Sequence, residues 1–490
     1  MLRPRPGVAL ALVIASAVLL FVFTSTRASE LLRLVLQYTS PERAGPVVDP
    51  FLIDLEQRTF RFFWDTANPK NGLIPDRFPT PSYSSIAAVG FGLTAYPVGV
   101  ERGYITRAQA RRRVLTTLRF LRNAPQGHAA EGMSGYKGFF YHFLDMKTGR
   151  RFGDSELSTV DTAILLAGAL FCQSYFDGRN PDEVEIRRLV DEIYGRVDWQ
   201  WAQPHGPAIS LGWSPEDGFH EYDWRGYNEA MLVYLLALGS PTHPVGPEAW
   251  TEWTSTYDTT SWRTAFGQEF LNFAPLFGHQ YTHVWIDFRK LQDAYMRRRG
   301  LDYFENTRRA VYAQQAYAIA NPHRCKAYSA TVWGLTASDG PADVTIGEGS
   351  AARPFKTYAA RGAGAAGSYD DCTLAPTAVI GSLPFAPELA IPAALEMNKR
   401  FGQYIYAQYG FLDAFNLNFD FNLPVSHGRC ISGFGWVDGD YLGIDQGAIF
   451  AMIENYRSAM IWDVMHKNPY VRRGLMKAGF EGGWLTASLQ

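Results

Sequence analysis

Two kinds of helix-length segment follow one another along this 490-residue chain, and their alternation narrows the possible folds more than any other feature. Segments such as Ile86–Ala95 and Ala163–Phe171 are built from Ala, Gly and Leu with little charge. A helix with no polar face must be buried all round. Segments such as Thr106–Asn123 and Pro181–Val197 carry one charged stripe, as helices on the outside of a bundle do. Hydrophobic spacing predicts helices near Pro50–Thr66, Ser84–Val100, Thr106–Asn123, Leu157–Tyr175, Pro181–Val197 and Gly226–Leu238. Others are predicted near Gly246–Ser255, Gly267–Phe277, Tyr303–Asn321, Ala375–Gly381, Pro387–Gln403, Gly443–Met465 and Pro469–Ala478. Asp49 before Pro50 is a cap followed by proline at the first helical position. Buried and amphipathic helices in turn point to an all-α fold, an (α/α)6 barrel: a toroid of six helical hairpins with long rim loops. The Gly/Ala-rich stretch Trp333–Thr373 reads as one such loop, a surface lid.

The N-terminus has the form of a targeting segment. Arg3 and Arg5 precede an apolar run from Val8 to Phe23, followed by the small residues of Thr24–Ala28. Residues 1–28 are therefore expected to be a signal peptide or an uncleaved membrane anchor, 29–48 a linker, and 49–490 one catalytic domain. The folded part would be exported: periplasmic, anchored facing the periplasm, or secreted. Of the four cysteines, Cys172 lies in an apolar helix and reads as a buried thiol. A disulfide is expected among Cys325, Cys372 and Cys430. A net charge of −2 offers no clustered basic surface, which argues against nucleic acid as a partner. A monomer needing no cofactor is expected.

Two acidic patches set among aromatics suggest the chemistry. The first, within Tyr141–Thr162, holds Asp145, Asp154, Glu156 and Asp161 with His142; the second, within Trp213–Glu229, holds Glu216, Asp217, Glu221, Asp223 and Glu229. Aromatic faces stack on pyranose rings, and two spaced carboxyls can protonate a glycosidic oxygen and activate water. That pattern implies a glycoside hydrolase. Glu229, at the start of an apolar helix, is the first candidate for general acid, because partial burial keeps a carboxyl protonated near neutral pH. Its partner is open among Asp145, Glu156 and Asp161. Trp213, Trp224, Trp285 and Trp436 are candidate stacking surfaces; Asp76, Arg77, His142, His279, Asp287, Asp413, Asp445 and Gln446 are candidate sugar contacts. His279 and His283 lack the flanking glutamate of a zinc helix, so no metal is expected.

Nine stretches carry a resemblance. They are Asn71–Arg77 (NGLIPDR), Tyr141–Thr162, Glu229–Pro244 (EAMLVYLLALGSPTHP), Gly278–Arg289 (GHQYTHVWIDFR), Asp302–Asn306 (DYFEN), Trp333–Asp339 (WGLTASD), Leu374–Glu388 (LAPTAVIGSLPFAPE), Tyr409–Asn416 (YGFLDAFN) and Leu442–Tyr456 (LGIDQGAIFAMIENY). In this order they resemble a bacterial glucoamylase-like family that includes endo-β-1,2-glucanases, a fold also found as a domain of cyclic β-1,2-glucan synthases. The resemblance implies the same (α/α)6 barrel, a β-glucan substrate and Glu229 as the acid. Cleavage within the chain by an inverting acid/base mechanism is expected if the two carboxyls stand ~6.5–9.5 Å apart, and a retaining nucleophile if they stand ~5–5.5 Å apart. One departure stands out: where the family commonly has Asp-Gly-Thr, this chain has Asp371-Cys372-Thr373. Two rival expectations are a polysaccharide lyase on the same barrel, disfavoured by the acidic character of the motifs, and a non-catalytic glycan-binding or envelope protein, disfavoured by the retained carboxyls.

Overall fold

The computed structural model describes residues 48–349, 352–364 and 368–486. The expected export segment and all of the linker but Val48 lie outside the described residues. Among the described residues no helix is long and apolar enough to cross a membrane.

Fifteen α-helices carry the architecture among the described residues: α1 (Pro50–Thr66), α2 (Ile86–Glu101), α3 (Arg107–Asn123), α4 (Thr159–Tyr175), α5 (Pro181–Gly195), α6 (Met231–Gly239), α7 (Glu248–Thr254), α8 (Phe277–Trp285), α9 (Ala294–Arg299), α10 (Tyr303–Ala320), α11 (Pro376–Ile380), α12 (Pro387–Ile405), α13 (Gly443–Ser458), α14 (Met460–Met465) and α15 (Pro469–Lys477). Six of them, α2, α4, α6, α8, α11 and α13, are buried over nearly their whole length. They pack on one another as an inner ring, α2 on α4, α4 on α6, α11 on α13 and α13 on α2, with α8 against α13. Around them α1, α3, α5, α7, α10 and α12 each bury one stripe and expose the other. This is the (α/α)6 barrel.

The small residues of the inner helices have a steric purpose. A Cβ on Gly168 would lie 2.0 Å from the Gly90 carbonyl oxygen, and one on Gly90 would lie 2.4 Å from the Ile164 carbonyl. The α2 and α4 backbones therefore touch, which any larger side chain would prevent. Caps set the starts: Ser85 for α2, Ser158 for α4, a Thr106–Gln109 capping box for α3, and Asp49 with Pro50 for α1.

Four expectations need correction. The helix predicted near Gly267–Phe277 is instead a strand, Gln268–Leu271, paired with Trp262–Ala265 through a turn at Phe266-Gly267 where both φ angles are positive. The helix of that sector begins at Phe277. The Gly443–Met465 segment breaks at Ala459, whose φ of 57° ends α13 and opens α14. The short helix α9 was not expected. Finally, Trp333–Thr373 is not a loose lid. It forms two antiparallel ribbons, Ala337–Asp339 with Tyr358–Ala360 and Val344–Ile346 with Arg353–Phe355. The fully buried Arg361 rivets the first ribbon, donating to Asp371 at 2.7 and 2.9 Å and to the Ser338 carbonyl at 2.7 Å.

Cys325 and Cys372 form a disulfide, and Cys172 is a buried free thiol, as expected. Cys372 sits at φ 72°, a left-handed conformation that costs an L-residue roughly 1–2 kcal/mol and a glycine almost nothing. The glycine that the family has at this turn is thus explained, and here a cross-link stands in its place. Closing a loop across 47 residues is worth about 4 kcal/mol in the chain-entropy account, ample to offset the strained turn. Replacing Cys325 by Ser together with Cys372 by Ser should lower the thermal midpoint by several degrees. Pairing Cys325→Ser with Cys372→Gly should recover part of that loss; calorimetry of the two double variants checks both the cross-link and the turn.

Candidate active site

The loops that precede the inner helices are stitched together by two-residue strands. Arg77–Phe78 pairs with Tyr441–Leu442, Ser84–Ser85 with Phe143–Leu144, and Leu157–Ser158 with Gly212–Ser214. The Gly443 amide donates to the Asp76 carbonyl at 2.7 Å, joining the first rim loop to the last inner helix. This rim collects most of the acids.

One group centres on His142. Its Nδ1 lies 2.9 Å from Glu156 and its Nε2 3.5 Å from Asp161. Burial works against a charge on this ring, but Asp161, Glu156 and Asp76 outweigh it and push the imidazole up to about 9. Partial burial pushes Glu156 up, yet the His142 hydrogen bond and charge hold its carboxyl below the usual range. Asp161 lies in the first turn of α4, accepts from the Ser158 hydroxyl, and keeps its carboxylate toward His142.

A second group surrounds Arg77, whose guanidinium is 2.7 Å from Asp339 and 3.7 Å from both Asp76 and Asp440. Asp413 accepts from the Asp339 amide at 2.8 Å through one oxygen, while its Oδ1 and the Oδ2 of Asp445 are buried without a partner among the described residues. Burial lifts Asp76 and Asp413 to about 6 and takes Asp438 and Asp445 well above the usual range. Asp339, Asp413 and Asp438 offer carboxylate oxygens within 4.8 Å of one another, a set that would accept a hard cation. Arg77 already meets part of that charge.

Glu229 stands two residues before α6 rather than inside it. Its Oε2 is buried and has no hydrogen-bond partner among the described residues. Burial pushes the carboxyl up to about 7, and the charge of Asp161 adds to the effect. Such a carboxyl carries a transferable proton at neutral pH. Burial pushes the Tyr281 hydroxyl on α8 well above its usual range, and the charges of Asp445, Asp413 and Glu229 add to the effect. The structure thus brings together Glu229, Asp161, Glu156, His142, Asp76, Arg77, Asp413 and Asp445, with Gln446 beside them on α13.

Other candidates fall elsewhere. Asp145 spends its carboxylate on a turn, accepting from the Lys147 and Thr148 amides and the Thr148 hydroxyl. Trp213, Trp285 and Trp436 are buried and have no free face for a sugar: Trp213 packs on Tyr136 and His128, Trp285 donates to Thr94, and Trp436 donates to the His427 carbonyl. Trp224 is half-buried and donates to Thr159 at the start of α4, beside the site. His279 is buried and held neutral, pushed down to about 3 by burial. Asp287 follows the far end of α8, where it pairs with Arg289 and His466. The chemistry at the mouth also includes Asp339, Asp438, Asp440, Tyr281 and Tyr358, none of them named from the sequence. A signal for two of them existed: Val437-Asp438-Gly439-Asp440 places paired carboxylates just before the predicted helix that begins at Gly443.

Comparison with known proteins agrees with the fold. A 2.01 Å crystal structure of a "putative glucoamylase" from Bacteroides uniformis is 30% identical, with a TM-score of 0.75 over 89% of this chain and 98% of that one. An endo-β-1,2-glucanase from Chitinophaga pinensis, crystallised with sophorotriose and glucose, is 29% identical, with a TM-score of 0.72 over 89% of this chain and 99% of that one. A curated relative, the exo β-1,2-glucooligosaccharide sophorohydrolase (non-reducing end) of Parabacteroides distasonis, is 29% identical over 88% of this chain. The chain spans 58% of that relative's length. The family model Glycoamylase, described as "Putative glucoamylase", matches residues 221–469, just over half of the chain and including Glu229 and Asp445. With its ring of six inner helices and its carboxyl-lined rim, the chain belongs to this glucoamylase-like family.

Proposed function

We propose that this protein is a glycoside hydrolase that cuts β-1,2-linked glucan within the chain, with Glu229 as the general acid. The observation that carries the proposal is the Glu229 carboxyl itself, unpartnered at the rim and lifted to about 7. The similar enzymes from Chitinophaga pinensis and Parabacteroides distasonis act on β-1,2-glucans, which supports the linkage. In this proposal residues 49–490 act as one catalytic domain. The charged and apolar N-terminus supports export to the periplasm or anchoring at the membrane.

The proposed mechanism is inverting. Glu229 gives its proton to the leaving oxygen as the bond to the anomeric carbon breaks, and Asp161 takes a proton from the attacking water. His142 and Ser158 orient Asp161 and hold its negative charge. Inversion needs the two carboxyls ~6.5–9.5 Å apart with room for water. A second reading gives the base role to Asp445, because it sits in the first turn of α13 with its Oδ2 buried and unpartnered among the described residues. Azide rescue separates them: the alanine variant of the true base regains turnover with azide, whereas the other does not.

Glu229→Gln should lower kcat on β-1,2-glucan by ~10²–10⁴-fold. Wild-type kcat/KM should fall as pH rises through about 7, where Glu229 loses the proton that it must donate. Stability supplies an independent check. A carboxyl raised from 4.5 to about 7 favours the fold below 4.5 and withdraws that support as pH climbs to 7. Glu229→Gln should therefore melt higher than wild type at pH 8 and match it near pH 4. Early products from a long β-1,2-glucan should span many lengths; disaccharide alone, from the first minute, would show exo action instead.

A further inference from the structure

Tyr358 is a large aromatic residue that the fold leaves unused. Among the described residues, Phe152, Tyr222 and Tyr358 are the large aromatics left exposed, and all three lie on rim loops. Tyr358 alone is tied to the carboxylates by strand register. It stands directly opposite Asp339 in the ribbon Ala337–Asp339 with Tyr358–Ala360. Cross-strand partners project from the same face of a ribbon. The Asp339 carboxylate is buried against Arg77, so that face is turned into the acidic mouth. Yet Tyr358 keeps 52% of its surface in water. Paired across the ribbon with a carboxylate that is buried, it stands at the border between that mouth and solvent.

The ribbon is stiff. Arg361 bonds it from behind through the Ser338, Asp339 and Lys356 carbonyls and is paired with Asp371. Asp371 in turn precedes Cys372, fixed to Cys325. A rigid aromatic face held over a charged pit is already organised for a ring to stack on it, at little cost in side-chain freedom.

Resting on the hydrolase proposal above, we infer that Tyr358 clamps one glucosyl unit at the acidic mouth. Its ring stacks on the sugar face and presses the sugar toward the carboxyl-lined floor. The clamp explains how a rim whose tryptophans are nearly all buried can still grip a pyranose.

The test uses the full chain and linear β-1,2-gluco-oligosaccharides. Tyr358→Ala should raise KM by about tenfold or more with a smaller change in kcat, and Tyr358→Phe should restore most of the affinity, since stacking needs the ring alone. An unchanged KM in Tyr358→Ala, with wild type active, would overturn the clamp. Equal losses in Tyr358→Ala and Tyr358→Phe would also overturn stacking. Wild type inactive on every β-1,2-glucan would instead overturn the hydrolase proposal beneath it, and binding of the same oligosaccharides by calorimetry would then judge the clamp alone.

Discussion

One guanidinium, that of Arg77, lets the mouth of this barrel exist. Carboxylates from Asp76, Asp339 and Asp440 converge on it from three rim loops, and Asp413, Asp438 and Asp445 crowd behind them. Without a cation such a group would repel itself apart or take up protons throughout. Arg77 is fixed by its own strand, paired with Leu442 at the entry to the last inner helix. The first and last hairpins are thus closed on each other by main-chain bonds and by charge. Glu56 and Glu454, buried on α1 and α13, repeat the solution with Arg457 and Arg102.

The electrostatics divide the mouth into parts of different character. On the α4 side His142 carries positive charge and holds Glu156 as an anion. On the α13 side burial raises Asp413 and Asp445. Glu229 belongs to neither regime: its Oε2 has no partner among the described residues, and burial dominates its proton affinity. Placing an acid apart from every cation in a site that contains two is what keeps it protonated.

How much of this was legible in the sequence depends on how local the cause is. Inner helices such as α2 and α4 announce themselves by lacking charge, because burial on all sides leaves no place for it. Helix α8 escaped notice because His279, Gln280, Thr282 and His283 are polar yet buried, with Gln280 and His283 bonded to Ala378 and Thr307 far away in the chain. Glu229 and Asp161 were readable from their positions ahead of apolar runs. Asp145 was not separable from them, since only the fold shows that its turn consumes its carboxylate. The tryptophans misled for a general reason: a large ring suits a sugar face and a packed interior equally well. Asp339 and Tyr358 became meaningful only through a strand register across a segment that composition suggests is a loose lid.

The contact between Gly90 and Gly168 sets a boundary on how such a protein can diversify. Where two backbones already touch, the girth of the ring at that seam has no room to grow, and a wider bore would require the seam to part. New specificities must therefore come from the ribbons and turns laid across the opening, which can lengthen, tilt or exchange aromatics while the staves beneath them stay as they are.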